Sequence, residues 1–261
     1  WTYCNTAFTN KTRPRFEPKA GIWAPDINYI NGKYVLYYAM SVWGGEQTCG
    51  IGVATANSPQ GPFTDHGKMF RSNEIGVQNS IDPSLLQYEG RNYLVWGSFR
   101  GIYVIELTAD GLSIMSGAKK KRIAGTAFEA VYIHKHGDYY YMFASIGSCC
   151  QGVKSTYKVV VGRSKKVWGP YKDKTGKPML KNGYSLVIGA NDHFVGNGHG
   201  SQIIQDDAGQ DWLLYHGFSR STPENGRILL LDQIKWDQEG WPYVEGGSPS
   251  YETQKAPVFN N

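Results

Sequence analysis

The feature that most limits what this chain can become is a hairpin written four times. An apolar strand, a polar turn carrying Gly and an aromatic-rich strand recur at residues 26–38 around Gly32, 84–96 around Glu89-Gly90, 130–144 around His136-Gly137 and 202–215 around Ala208-Gly209. A lone hairpin cannot bury its apolar face, so such repeats must pack on one another. After the first and third hairpins a second shared piece follows, Gly52-Val53-Ala54-Thr55 running to Gly61-Pro62-Phe63, and Val160-Val161-Gly162-Arg163 running to Gly169-Pro170-Tyr171. Residues 102–107 and 227–236 take the same place in the other two repeats, and Trp241-Pro242-Tyr243-Val244 supplies a last strand. Four strands per repeat make the blade of a β-propeller, so the expected class is all-β.

The start of the chain is irregular in an informative way. Residues 1–8 align with residues 63–70, the outermost strand of a later blade, so the sequence enters the repeat pattern inside a blade. The expectation is one propeller domain over residues 1–261, five-bladed, with its first blade incomplete; the alternative is a four-bladed propeller with residues 1–8 as an odd arm. Residues 1–10 are its outer strand, and blades follow at about 20–72, 78–118, 125–182 and 196–250. An unpaired aromatic strand would make a poor edge, so a second chain or a segment outside this numbering is expected to complete that blade. The longest insertion, residues 172–200, precedes the last blade. No helix is strongly signalled.

Composition narrows the partners. With 18 Tyr, 8 Trp and 32 Gly the chain offers many amphipathic rings on tight turns, which suits a ligand with flat faces such as a sugar. The formal charge is 27 − 22 = +5, and its one basic run, Lys119-Lys120-Lys121-Arg122, reads as a solvated loop. No nucleic-acid partner is expected, and no apolar stretch approaches the ~20 residues that span a bilayer, so no membrane partner either. Cys4, Cys49, Cys149 and Cys150 lack zinc-ligand spacing. Adjacent cysteines such as Cys149 and Cys150 rarely bridge each other, whereas a bridge from Cys4 to Cys49 is open.

The residues that enter each innermost strand should converge on the propeller axis. They read Trp23-Ala24-Pro25, Ile81-Asp82-Pro83, Phe128-Glu129-Ala130 and Gly198-His199-Gly200. Glu129 heads the apolar run Ala130-Val131-Tyr132-Ile133 with no Lys or Arg beside it. Burial there would disfavour its ionised form, as a general acid working near neutrality requires. The plain alternative is a strand-opening Glu turned to solvent. Aligned on the hairpin glycines, Asp82 and Glu129 occupy equivalent positions, so two carboxylates are expected to meet at the axis. A turn-opening Asp before Pro83 is the plain alternative for Asp82.

At these residues the chain resembles the arabinanases of glycoside hydrolase family 43, five-bladed propellers that hydrolyse with inversion. The similar stretches are Gly21-Ile22-Trp23-Ala24-Pro25-Asp26-Ile27, Ser80-Ile81-Asp82-Pro83-Ser84-Leu85, Trp96-Gly97-Ser98-Phe99, Phe128-Glu129-Ala130 and Gly196-Asn197-Gly198-His199-Gly200-Ser201. Gly147-Ser148-Cys149-Cys150-Gln151-Gly152, followed by Ser155-Thr156-Tyr157, points within that family to arabinan rather than xylan. The resemblance implies hydrolysis of α-1,5-linked arabinan, with Glu129 as general acid and Asp82 as the carboxylate that tunes and orients it. It implies an axial calcium at His199, held mostly through water. Trp23 would form a wall of the sugar cleft with Cys149 and Cys150 near it, and Ser98 and Ser155 are candidate sugar contacts. A plant-polymer substrate implies secretion, extracellular or periplasmic. In one respect the chain departs from the family. The catalytic base, an Asp entering the first blade, has no counterpart in residues 1–261, and Asp26 lies two positions past the matching site. Inverting hydrolysis needs such a carboxylate roughly 6.5–9.5 Å from the acid. The rival expectation is therefore a carbohydrate-binding propeller without catalysis.

Overall fold

The computed structural model describes residues 2–260, and almost every ordered element in it is a strand. The chain divides into two compact units, residues 1–122 and 123–261. In the first unit β1 (Gly21–Ile30), β2 (Lys33–Ser41), β3 (Gly50–Ala56) and β4 (Thr64–Arg71) form one sheet in chain order. A one-turn helix, α1 (Ser72–Ile75), leads to β5 (Ser84–Tyr88), β6 (Arg91–Trp96), β7 (Ile102–Glu106) and β8 (Lys121–Ala124), again in order, with the unit boundary inside β8. The second unit holds β9 (Glu129–His136), β10 (Tyr139–Ile146), β11 (Lys158–Ser164) and β12 (Ser185–Ile188). Its other sheet runs β13 (Phe194–Gly198), β15 (Asp211–Ser219), β16 (Arg227–Trp236) and β17 (Pro242–Tyr243), with β14 (Ile203–Gln205) also paired to β15. Each sheet is an antiparallel meander, the form of a propeller blade.

The inner strands are continuous apolar runs buried on both faces. In β2, Tyr37 and Tyr38 are both fully buried because successive side chains enter opposite faces. Tyr37 packs with Ile51, Phe70, Leu94 and Trp96 between the two sheets of the first unit and donates to the Gly111 carbonyl at 2.8 Å. Tyr38 faces the other way, packs near Phe8 and Phe16, and donates to Asp65 at 2.5 Å. In the second unit Tyr141, Phe143, Val159 and Val161 pack on Leu213, Tyr215, Ile234 and Trp241 from the neighbouring sheet. Three surface loops there share one device, an Asp whose carboxylate accepts the backbone N–H groups two and four residues on: Asp173, Asp206 and Asp237. These hydrogen bonds outweigh desolvation and hold all three carboxyls below the ordinary Asp range.

Several expectations need correcting. Residues 2–8 form no strand; Phe8 packs edge-on to Tyr38 at 5.5 Å instead, and Trp1 lies outside the described residues. Among the described residues no strand pairs with residues 2–8. The region 172–200 is not a plain insertion, since it contains β12 and β13, whose short apolar runs are strands because β11 and β15 pair with them. The third hairpin turns at Gly137-Asp138, between the paired residues His136 and Tyr139, one residue later than read from the sequence. In the first two hairpins Gly is the second turn residue, after Asn31 and Glu89, both at positive φ, but Gly137 is the first.

Candidate active site

That one-residue shift changes how the strand entrances compare. All four contain a non-glycine residue in the left-handed region: Ala24 (φ 47°), Asp82 (φ 56°), Ala130 (φ 50°) and His199 (φ 53°). The residue before each is the last inner position tied to its neighbour strand: Trp23 opposite Ala39, Ile81 accepting from Gly97 N–H at 2.9 Å, Glu129 opposite Ser145, and Gly198 opposite His216. Asp82 is therefore equivalent to Ala130 and His199, and Glu129 to Trp23 and Ile81. The equivalence of Asp82 and Glu129 expected from the hairpin glycines does not hold.

In the first unit the entrance to β5 is braced from behind. Trp96 Nε1 donates to Ser80 Oγ at 3.0 Å, Ser80 Oγ donates to the Val77 carbonyl at 2.8 Å, and Ser80 N–H donates to Ser72 Oγ at 2.9 Å. Asn79 donates to both the carbonyl and the hydroxyl of Ser98. Ser98 is only 1% exposed and through these contacts braces the loop ahead of Asp82. Asp82 itself is buried. Asp26 accepts from Leu85 N–H and from Asn28, both at 2.7 Å, which ties β1 to β5 and commits that carboxylate to structure. Trp23 packs over Ala39, Cys49 and Ile81 and meets Trp43 edge to face at 5.8 Å. Trp43 is 77% exposed, so an aromatic pair faces solvent there; sequence reasoning missed it because nothing in the Val42-Trp43-Gly44 loop is periodic.

In the second unit Glu129 is buried at the head of β9, and Tyr157 donates its hydroxyl to Glu129 Oε1 at 2.5 Å. The approach to β9 is held by the turn at 179–182, where Gly125 N–H donates to the Met179 carbonyl and Ala127 N–H to Asn182. Tyr157 lies against Gly198, where a Cβ would stand 2.3 Å from the ring, so the close approach requires glycine. The Tyr157 ring stacks toward His216 at 5.8 Å, and His216 toward His199 at 6.2 Å. His199 N–H donates to Ser145 Oγ at 2.8 Å, which closes a cluster around the strand that opposes Glu129. Burial pushes the His216 imidazole down to about 3, and the His199 imidazole is also lowered by burial, against the raising effect of Glu129. Both rings are therefore neutral near pH 7, with a lone pair to offer. Tyr157 and His216 went unassigned in the sequence; the only signal for Tyr157 was its place in the Ser155-Thr156-Tyr157 stretch.

The loop after β10 corrects a further expectation. Cys149 and Cys150 form a disulfide, while Cys4 is a free exposed thiol and Cys49 a free buried one. Adjacent cysteines can meet here because the loop doubles back tightly. Thr156 and Tyr157 N–H both donate to the Ser148 carbonyl at 3.1 Å, and Gln151 N–H donates to Ser155 Oγ at 2.9 Å. Ser155 is buried in that role, so like Ser98 it positions its loop.

The family model for glycosyl hydrolases family 43 matches residues 1–242. The chain is 37% identical to the extracellular exo-α-(1→5)-L-arabinofuranosidase of Cellvibrio japonicus over 94% of its own length and 77% of that protein's. It is also 37% identical to the extracellular endo-α-(1→5)-L-arabinanase 1 of Bacillus subtilis, over 93% of this chain and 76% of the relative. Among solved structures, Cellvibrio cellulosa α-L-arabinanase complexed with arabinohexaose superposes with a TM-score of 0.85 at 34% identity, covering 94% of this chain and 85% of that one. The expected all-β propeller class holds, with four blades among the described residues. The chain belongs to glycosyl hydrolase family 43.

Proposed function

We propose that the protein hydrolyses α-1,5-linked L-arabinan by single displacement, with Glu129 as the general acid. The observation that carries this is the buried Glu129 carboxyl at a strand entrance, fixed in orientation by the Tyr157 hydroxyl at 2.5 Å. A carboxyl so held can deliver its proton along one direction to the glycosidic oxygen as the bond breaks, which general acid catalysis requires. Asp82, with its backbone in the left-handed region, is the carboxylate that orients and tunes the acid, a role that rests on the family resemblance. Trp23 and the solvent-facing Trp43 suit the stacking of furanose rings. The base that activates water is assigned to a fifth blade completed by residues outside this numbering or by a second chain, since Asp26 is committed to Leu85 and Asn28. Similarity to two extracellular enzymes and to an arabinanase that binds arabinohexaose supports an arabino-oligosaccharide partner and an extracellular site of action.

The residues around His199 fit a calcium ion held mostly through water. The His199 imidazole is neutral, and nearby His216 Nδ1 is buried with no hydrogen-bond partner, so the neighbourhood has an unsatisfied polar atom that a hydrated cation would satisfy. His199 would hold the ion, whose charge would stabilise negative charge developing nearby. Reducing-sugar release from linear arabinan by the full-length protein tests the whole reading. Release that falls about 10²–10⁴-fold in Glu129→Gln, with arabinohexaose binding retained, is the expected result. Binding without release in the parent protein would mean a binding propeller instead.

A further inference from the structure

At the far end of β9 from Glu129 lies a second cluster of chemistry-bearing side chains. His134 and His136, two residues apart on one strand, share a face. They meet Asp211 at the start of β15, and one ligand atom from each of the three lies within 4.8 Å of the others. His136 Nδ1 stands 3.7 Å from Asp211 Oδ2. At ~3.3 Å per residue the cluster sits about 20 Å along the strand from the Glu129 carboxyl, well outside its reach.

We propose that His134, His136 and Asp211 form a binding site for a zinc-class divalent cation that clips β9 to the β15–β16 pair of the neighbouring sheet. Two imidazoles and one carboxylate are the donor set such borderline cations prefer, and a hard cation would want more oxygen. The carboxylate is already oriented by outer hydrogen bonds, as ligating carboxylates are: Trp236 Nε1 donates to Asp211 Oδ2 at 2.8 Å and Gln205 to Oδ1 at 3.2 Å. The imidazoles are oriented too, since His136 lies flat on Trp236 with centroids 3.7 Å apart and planes 8° apart, and His134 stacks on the same ring at 6.0 Å. The ligand atoms need to close only from 4.8 Å to the ~3.3 Å separation that ~2.0–2.1 Å bonds to a tetrahedral ion imply. With three protein ligands, water would take the fourth position.

The test is titration of the full-length protein with Zn²⁺ by calorimetry. Calcium is held in excess throughout so that a response at His199 is not counted, and Cys4→Ser is used as background to remove the exposed thiol. One equivalent bound, weakened at least tenfold in His134→Gln/His136→Gln and also in Asp211→Asn, is the expected result. Zn²⁺ should raise the melting temperature of the parent and leave that of either variant where it was. Should one variant fail to fold by circular dichroism, the other decides. Zinc uptake equal in parent and folded variants, or no uptake by the parent at millimolar zinc, overturns the proposal.

Discussion

The entrances to β5 and β9 look alike in sequence and differ in what fixes the acid. At β5 the left-handed residue is the acid itself, so Asp82 is aimed by its backbone, with Pro83 after it and the Trp96–Ser80–Ser72 chain of hydrogen bonds behind it. At β9 the left-handed residue is Ala130, and Glu129 sits one position earlier, paired opposite Ser145 and aimed by the hydroxyl of Tyr157. A short side chain on a constrained backbone suits a fixed charge. A longer one that accepts from a neutral hydroxyl suits a group that gains and loses a proton. The two carboxylates should therefore respond to different mutations.

The largest expected effect breaks the backbone side of that contrast. Trp96→Ala removes a fully buried indole and the donor to Ser80, and should destabilise the protein by about 3–5 kcal/mol in denaturant unfolding. At sub-denaturing conditions the surviving fold should lose activity as well, because the loop that aims Asp82 has lost its brace. On the other side, Tyr157→Phe leaves packing nearly intact and removes one hydrogen bond to a carboxyl, about 1.5–3 kcal/mol. It should lower kcat roughly 10–100-fold, with arabinohexaose affinity unchanged and the alkaline limb of the pH profile, which follows the general acid, displaced. A purely structural Tyr157 would move stability and leave the profile where it is.

The contrast also explains what could be read from the chain in advance. Strand order within blades was legible because an apolar strand, a polar turn with Gly and an aromatic-rich strand recur four times. The register of the third blade was not, because a two-residue turn accepts Gly at either central position, and Gly137 takes the first where Gly32 and Gly90 take the second. Sequence alignment on the glycines thus moved Glu129 by one residue. The Cys149–Cys150 bridge depends on a loop fold set by Ser148, Ser155 and Thr156, hydroxyls whose partners no local pattern announces. Glu129 was legible for a general reason: a carboxyl heading an apolar strand is costly to bury without a partner, and the partner proved to be Tyr157.

Smaller effects sharpen the comparison further. Left-handed backbone costs an alanine about 1–2 kcal/mol, so Ala24→Gly and Ala130→Gly should each raise stability by up to about 1 kcal/mol in thermal melts. Asp82→Gly should gain less, since Asp tolerates this region better than Ala. The smallest effect concerns a carboxylate that only holds a loop. Asp206 accepts from Gln210, Ala208, Val258 and Trp212, which keeps its carboxyl below the ordinary Asp range despite desolvation. Its folded affinity for protons is depressed, so its stabilisation is present above the ordinary Asp range near pH 4 and is lost as pH falls below it. Asp206→Asn should flatten the acid limb of the stability profile without touching activity, as unfolding curves across pH 2–7 would record.

The central claim, that Glu129 supplies the proton and Asp82 does not, is tested most directly by varying the leaving group. A dinitrophenyl arabinofuranoside departs without protonation, whereas arabinan needs a proton on its leaving oxygen. Glu129→Gln in the full-length protein should lose about 10²–10⁴ in kcat/KM on arabinan and little on the activated substrate, while Asp82→Asn, which acts through Glu129, should lose less on arabinan and likewise little on the activated substrate. Equal losses on the two substrates in Glu129→Gln would contradict the assignment.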